Sequence, residues 1–173
     1  MPSSRFLISS QTLGSAAASV TFSSIPATYT DLVLRISARQ LNSGTSNSIN
    51  LTFNNLNTSI YSYTLLEGGG SGYGALSARD NGNTEGRMYY TNGNTSTANT
   101  FSSTEYYIPS YNAAQSKPFS NFSPQENNLG TAYMNVSANL FRNNNAITSI
   151  ALASNDQNFA IGSSFYLYGL KNS

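Results

Sequence analysis

Apolar and polar residues alternate in short runs along this chain, and the clearest run lies between Asp31 and Arg39. Leu32, Leu34, Ile36 and Ala38 fall on one side of it; Val33, Arg35, Ser37 and Arg39 fall on the other. A period of two is the mark of a strand with one buried face. Pro26, just upstream, marks the turn that feeds it. Similar runs recur at 5–8, 19–22, 49–53, 60–66 and 87–90, then at 102–108, 133–140, 146–153 and 164–170. Between them sit clusters such as Asn42-Ser43-Gly44, Asp80-Asn81-Gly82-Asn83, Asn92-Gly93-Asn94 and Asn143-Asn144-Asn145. Asn and Gly accept the positive φ of tight turns, so these clusters read as connections between strands. There is no capped apolar stripe of helical period, and Ala16-Ala17-Ala18 is too short to form a helix alone.

The pattern predicts an all-β chain, a sandwich or barrel of about eight to ten short antiparallel strands. Self-similarity at a fixed period is missing, which disfavours a β-helix or a propeller. The stretch 68–99 is nearly all Gly, Ser, Thr and Asn around a few aromatics. It reads as long loops at one end of the sandwich, with one strand at 87–90. The segment 111–129, with Pro118, Pro124 and Lys117, reads the same way. Apolar residues are scattered through both, so neither is a linker, and one domain over 1–173 is expected.

Composition sharpens this picture mainly by exclusion. Ser, Thr and Asn supply 68 of the 173 residues, which raises disorder as a rival reading. A 12% aromatic share and a net charge of only +1 argue against it, because disordered chains are poor in aromatics and rich in net charge. With no Cys there is no disulfide frame, thiolate nucleophile or thiolate metal site. With no His the commonest general base and metal ligand are missing, and a Ser-His-Asp triad is impossible. Eight basic residues against seven acidic ones leave no field for nucleic acid or an anionic membrane. The start, Met1-Pro2-Ser3-Ser4-Arg5, lacks the apolar stretch of a signal peptide, so synthesis and retention in a cytoplasm are expected.

Three stretches offer candidate chemistry, each with a plainer role beside it. Asp80 and Glu85 flank a turn, and Glu67 is within reach of either, as a glycosidase pair would require; solubilising loops or bonding turn amides is the plainer role. Asp80-Asn81-Gly82-Asn83-Thr84-Glu85 faintly resembles a calcium loop but lacks its alternating acids and distal bidentate Glu. Gly68-Gly69-Gly70-Ser71-Gly72-Tyr73-Gly74 has neither the following helix nor the Lys of a phosphate cradle. The expectation is a chain without catalysis, metal or cofactor.

Tyrosine carries more information. Tyr61, Tyr63, Tyr89, Tyr90, Tyr106, Tyr107 and Tyr111 lie in or beside strands. In the pairs Tyr89-Tyr90 and Tyr106-Tyr107, neighbours must point to opposite faces, so one of each pair looks away from the core. Such residues are either covered by loops or held for a protein contact, since Tyr buries a large ring while keeping a polar tip. Arg35 and Arg39 share the outward side of the best strand and serve as edge solubilisers or pair with a neighbour's acids. The interface candidates are therefore Arg35, Arg39, Tyr89, Tyr90, Tyr106, Tyr107 and Tyr111.

Both ends of the chain resemble a known group. Leu7-Ile8-Ser9-Ser10-Gln11-Thr12-Leu13 and Ser19-Val20-Thr21-Phe22-Ser23-Ser24-Ile25-Pro26-Ala27-Thr28-Tyr29-Thr30-Asp31-Leu32 resemble the opening of tailed-bacteriophage virion structural proteins. Ala146-Ile147-Thr148-Ser149-Ile150 and Phe159-Ala160-Ile161-Gly162-Ser163-Ser164-Phe165-Tyr166-Leu167-Tyr168-Gly169-Leu170 resemble their closing strands, and Tyr106-Tyr107-Ile108-Pro109-Ser110-Tyr111 with Lys117 their middle. The resemblance implies one jelly-roll-like β-sandwich with long Gly/Asn/Ser/Thr-rich loops, working by assembly as a homotrimer. It implies a capsid decoration (cement) protein on the virion surface, with the major capsid protein as partner. The alternative is a receptor-binding fibre tip that takes host glycan through the loops at 68–99. A cellular carbohydrate-binding module and a hydrolase follow as further classes.

Overall fold

A computed structural model describes residues 4–70, 72–127 and 132–171, and within them every side chain except those of 87–89. Its regular elements are all strands: β1 (Ser4–Thr12), β2 (Ser19–Phe22), β3 (Asp31–Ala38), β4 (Ser46–Phe53), β5 (Tyr61–Gly69) and β6 (Ala75–Asn83), followed by β7 (Gly86–Asn92), β8 (Ser102–Ile108), β9 (Lys117–Gln125), β10 (Tyr133–Phe141), β11 (Ile150–Ser154) and β12 (Ser164–Lys171). They form an eight-stranded sheet in the order β1-β12-β3-β8-β9-β10-β5-β6 and a four-stranded sheet in the order β2-β11-β4-β7. Neighbours are antiparallel throughout, so the chain is a β-sandwich with one wide and one narrow layer.

Two segments expected to be loops are strands. β6 lies within 68–99 and β9 within 111–129, and β9 is a central strand of the wide sheet. Its prolines explain the misreading, because proline lacks the N–H that a central strand must donate. Both lie outside Ser120–Phe122, the only stretch of β9 that pairs with β8. The ladder to β8 therefore needs no donor from Pro118 or Pro124.

Between the sheets, β3 delivers Leu32, Leu34, Ile36 and Ala38 to the core, as its alternation requires. Phe53 of β4 meets the rings of Phe119 and Phe141 edge-on, each with centroids 5.2 Å apart. Gly86 lets the layers approach there, since a Cβ at this position would lie 2.8 Å from the Phe119 ring. Further along β8, β9 and β10 the interior becomes polar: Thr104, Asn121, Ser123, Gln125, Asn135, Ser137 and Asn139 are all buried. Thr104 and Ser123 share a 3.0 Å hydrogen bond, Asn139 Nδ2 donates to Ser137 Oγ at 2.7 Å, and that hydroxyl donates to Asn121 Oδ1.

The fully buried Tyr106 hydroxyl has no partner in this network, and burial pushes its pKa far above the ordinary phenol value. An unmet buried hydroxyl costs on the order of 1 kcal/mol. Tyr106→Phe should therefore match or exceed the parent chain in a thermal melt, by about 2–4 °C if that cost is recovered.

Candidate functional site

The outward face of the wide sheet is the feature that calls for explanation. In β9 and β10 the residues turned away from the core are Pro118, Ser120, Phe122 and Pro124, then Met134, Val136, Ala138 and Leu140. Phe122, Pro124, Val136 and Ala138 alternate with the buried polar residues just described, so this part of the sheet carries its apolar side outside. Leu66 is 60% exposed, Met134 55%, Phe122 47% and Val136 44%. Scattered single exposures are ordinary, but a contiguous patch marks an interaction surface.

Register fixes the continuity of this patch. One row crosses the sheet directly from strand to strand: Tyr166 of β12, Arg35 of β3, Glu105 of β8, Phe122 of β9, Val136 of β10 and Leu66 of β5. Tyr107, Ser120 and Tyr168 lie in the adjoining row. Small serines between tall side chains leave a shallow groove of about 670 Å³, walled by Tyr107, Phe122, Tyr166 and Tyr168. A second depression of about 420 Å³ is bounded by Leu66, Phe122, Met134 and Val136.

The charges on this face are few and matched. Arg35 Nε donates to Glu105 Oε2 at 2.7 Å, and both side chains remain open to solvent. An exposed pair of this kind adds little to stability. Tyr107 donates its hydroxyl to Asp31 at 2.8 Å, and slight burial together with that carboxylate raises its pKa. Tyr166 and Tyr168 lie nearly parallel, 6.4 Å apart at 20°, and the Arg5 guanidinium sits 5.5 Å from the Tyr168 ring.

Arg35 and Tyr107, both among the interface candidates, lie on one exposed face. The other candidates lie elsewhere. Arg39 does not share the face of Arg35: it is buried just beyond the end of β3, where the segment 94–100 folds over it. Its guanidinium donates to the carbonyls of Asn94, Ser96, Thr97 and Thr100 at 2.9–3.1 Å. Tyr106 points into the core, and Tyr111 is equally buried, its hydroxyl donating to the Pro26 carbonyl. Tyr90 is half-buried at φ 68°, stacked 4.2 Å from Tyr133 and donating to Glu67 at 2.9 Å. The side chain of Tyr89 lies outside the described residues.

Glu67 is buried and also accepts from the Tyr73 hydroxyl. It fastens the connection between β5 and β6. Asp80 accepts from the Asn81 amide at 2.7 Å, but both lie within β6 and not in the turn expected there. Among the described residues, no three Asp or Glu come together.

Sequence reasoning missed Leu66, Phe122, Met134, Val136, Tyr166 and Tyr168. The alternation in β10 was visible, but period two does not say which side is inside. No family model matches this chain, and neither a curated protein nor a solved structure matches it.

Proposed function

We propose that this chain is a non-enzymatic virion structural protein, a capsid decoration protein that acts by burying the outer face of its wide sheet against protein. The observation that carries the reading is the inverted polarity of β9 and β10, with Phe122, Val136 and Met134 exposed over an interior of Asn, Ser and Gln. Burying exposed apolar area gains about 25 cal/mol per Å², and chains seldom forgo that gain unless a partner supplies it. Matched charge, hydroxyl-rich surroundings and tyrosines at the rim suit a protein contact.

The strand order also supports a jelly-roll relationship. From β2 the chain alternates between the layers: narrow at β2, β4, β7 and β11, wide at β3, β5–β6, β8–β10 and β12. Repeated crossing of this kind is how a jelly roll is wound. In that frame β8, β9 and β10 occupy the place of one strand widened into a meander, and β1 and β12 extend the opposite edge.

Particles released by cells that carry this gene provide the test. An antibody against the chain should decorate intact heads, and Phe122→Asp should remove the label while leaving the soluble protein folded. Label confined to tail tips would favour the receptor-binding alternative, which the tyrosine-walled groove also suits as a stacking platform for sugar rings. Particles free of the chain would end both readings.

A further inference from the structure

We infer that the outer face of the wide sheet pairs with the same face of a second copy, across a two-fold axis parallel to the strands between β3 and β8. The inference rests on the reading of this face as an assembly surface and names its partner. It also replaces the three-fold assembly suggested by resemblance with an isologous pair.

Charge selects the axis. Arg35 and Glu105 are direct cross-strand neighbours near the middle of the row. A two-fold axis parallel to the strands and midway between them places each Arg35 over the partner's Glu105, and each Glu105 over the partner's Arg35. An axis running across the strands through that row would stack Arg35 on its own copy, which like charge forbids. An axis along β8 would set two copies of Glu105 against each other.

The remaining positions then follow from register, because the axis lays β3 over β8, β12 over β9 and β1 over β10. Tyr166 comes over Phe122, giving aromatic contact on both sides of the centre. Tyr168 comes over Ser120, Met134 over Thr12, and Val136 over Ser10, so tall side chains meet short ones. Aligned sheets cross at about −30°, which displaces outer strands most and leaves the central ion pairs closest to register.

The area is sufficient. Six strands about 4.8 Å apart, each contributing six or seven residues of about 3.3 Å, give roughly 600 Å² in projection. Side-chain relief increases that figure toward the ~800 Å² per partner found in stable pairs.

The test is sedimentation equilibrium of the full chain and two charge reversals, with far-UV spectra confirming that each variant stays folded. The parent chain should sediment at twice its 18.5 kDa mass. Arg35→Glu alone carries two acids at the centre and Glu105→Arg alone two bases, so each should lose roughly tenfold or more in self-affinity. Mixed in equal amounts, they should form a heterodimer. That rescue separates a contact between molecules from the pair within one, because neither variant keeps the internal ion pair. A parent chain of single or triple mass overturns the inference, as does a mixture that stays monomeric, and so does a monomer retained on host polysaccharide. Labelled heads with a monomeric chain would remove this inference and leave the decoration reading standing; a dimer absent from particles would do the reverse.

Discussion

Arg39→Ala should lower the melting temperature by about 10 °C and open the segment 94–100 to protease. The guanidinium makes four hydrogen bonds to main-chain carbonyls of that segment and is itself buried. Hydrogen bonds to a charged group contribute about 1.5–3 kcal/mol each when measured alone, and they do not add fully. A loss of about 3–4 kcal/mol is expected, which corresponds to that temperature shift for a chain of this size. Arg39→Lys should recover only part of it, because an ammonium cannot reproduce the planar fork that reaches several carbonyls at once. Thermal melts compared with the position of the first proteolytic cut would check both halves of the prediction. Cleavage elsewhere, with an unchanged melt, would mean that the segment is held by other contacts.

The second large effect is alkaline. Burial pushes the Tyr61 hydroxyl up from 10.0 to about 12, outweighing the Phe53 amide that donates to it, while the hydroxyl itself donates to the Leu56 carbonyl. A phenol whose folded pKa is raised contributes stability that is fully present below its unfolded value and is lost as pH climbs through the folded one. Between pH 10 and 12 this residue alone should remove about 2–3 kcal/mol. Tyr106 and Tyr90 are shifted in the same direction by burial. Lys117 works oppositely below that window. Its buried ammonium, held by the carbonyls of Asn143 and Asn145, has its pKa lowered, so its contribution improves as pH rises toward 10.5. Stability should therefore hold or rise to about pH 10 and then fall steeply. Denaturant midpoints followed alongside tyrosinate absorbance would show it, and a midpoint already falling between pH 8 and 10 would contradict it.

The legible parts of the fold were those where alternation coincides with burial. β3 was read residue by residue because its apolar side is inside and its boundaries carry Pro26 and a polar turn. β6 left no such trace: it is an edge strand exposed along nearly its whole length, held by pairing to β5. β9 was concealed by two prolines, which lie outside the stretch that pairs with β8 and so cost that ladder nothing. The face itself was half legible. Adjacent tyrosines must diverge, which put one of Tyr106 and Tyr107 outside without saying which, and Arg35 was legible because the strand's core side was already assigned. Arg39 was read by the same alternation, but β3 ends at Ala38, and alternation says nothing of where the chain turns beyond the strand or of what folds over it. Phe122 was lost with its strand, since 111–129 read as loop. Val136 and Met134 defeated the reading for a different reason: an apolar stripe is ordinarily assigned to the core, and only the inward row of Asn135, Ser137 and Asn139 shows that here it is not.

That inversion bears on how the chain reaches its native state. A slip of one residue in β9 and β10 together would turn Phe122, Val136 and Met134 inward and send the asparagines to solvent. Hydrophobic collapse by itself rewards that error. The correct register is held instead at one end, where Phe119 and Phe141 face inward against Phe53 and the inward Lys117 is capped by the carbonyls of Asn143 and Asn145. Those ring contacts with Phe53 and that capped ammonium are what a shifted arrangement would forfeit, and they set the native register apart from it.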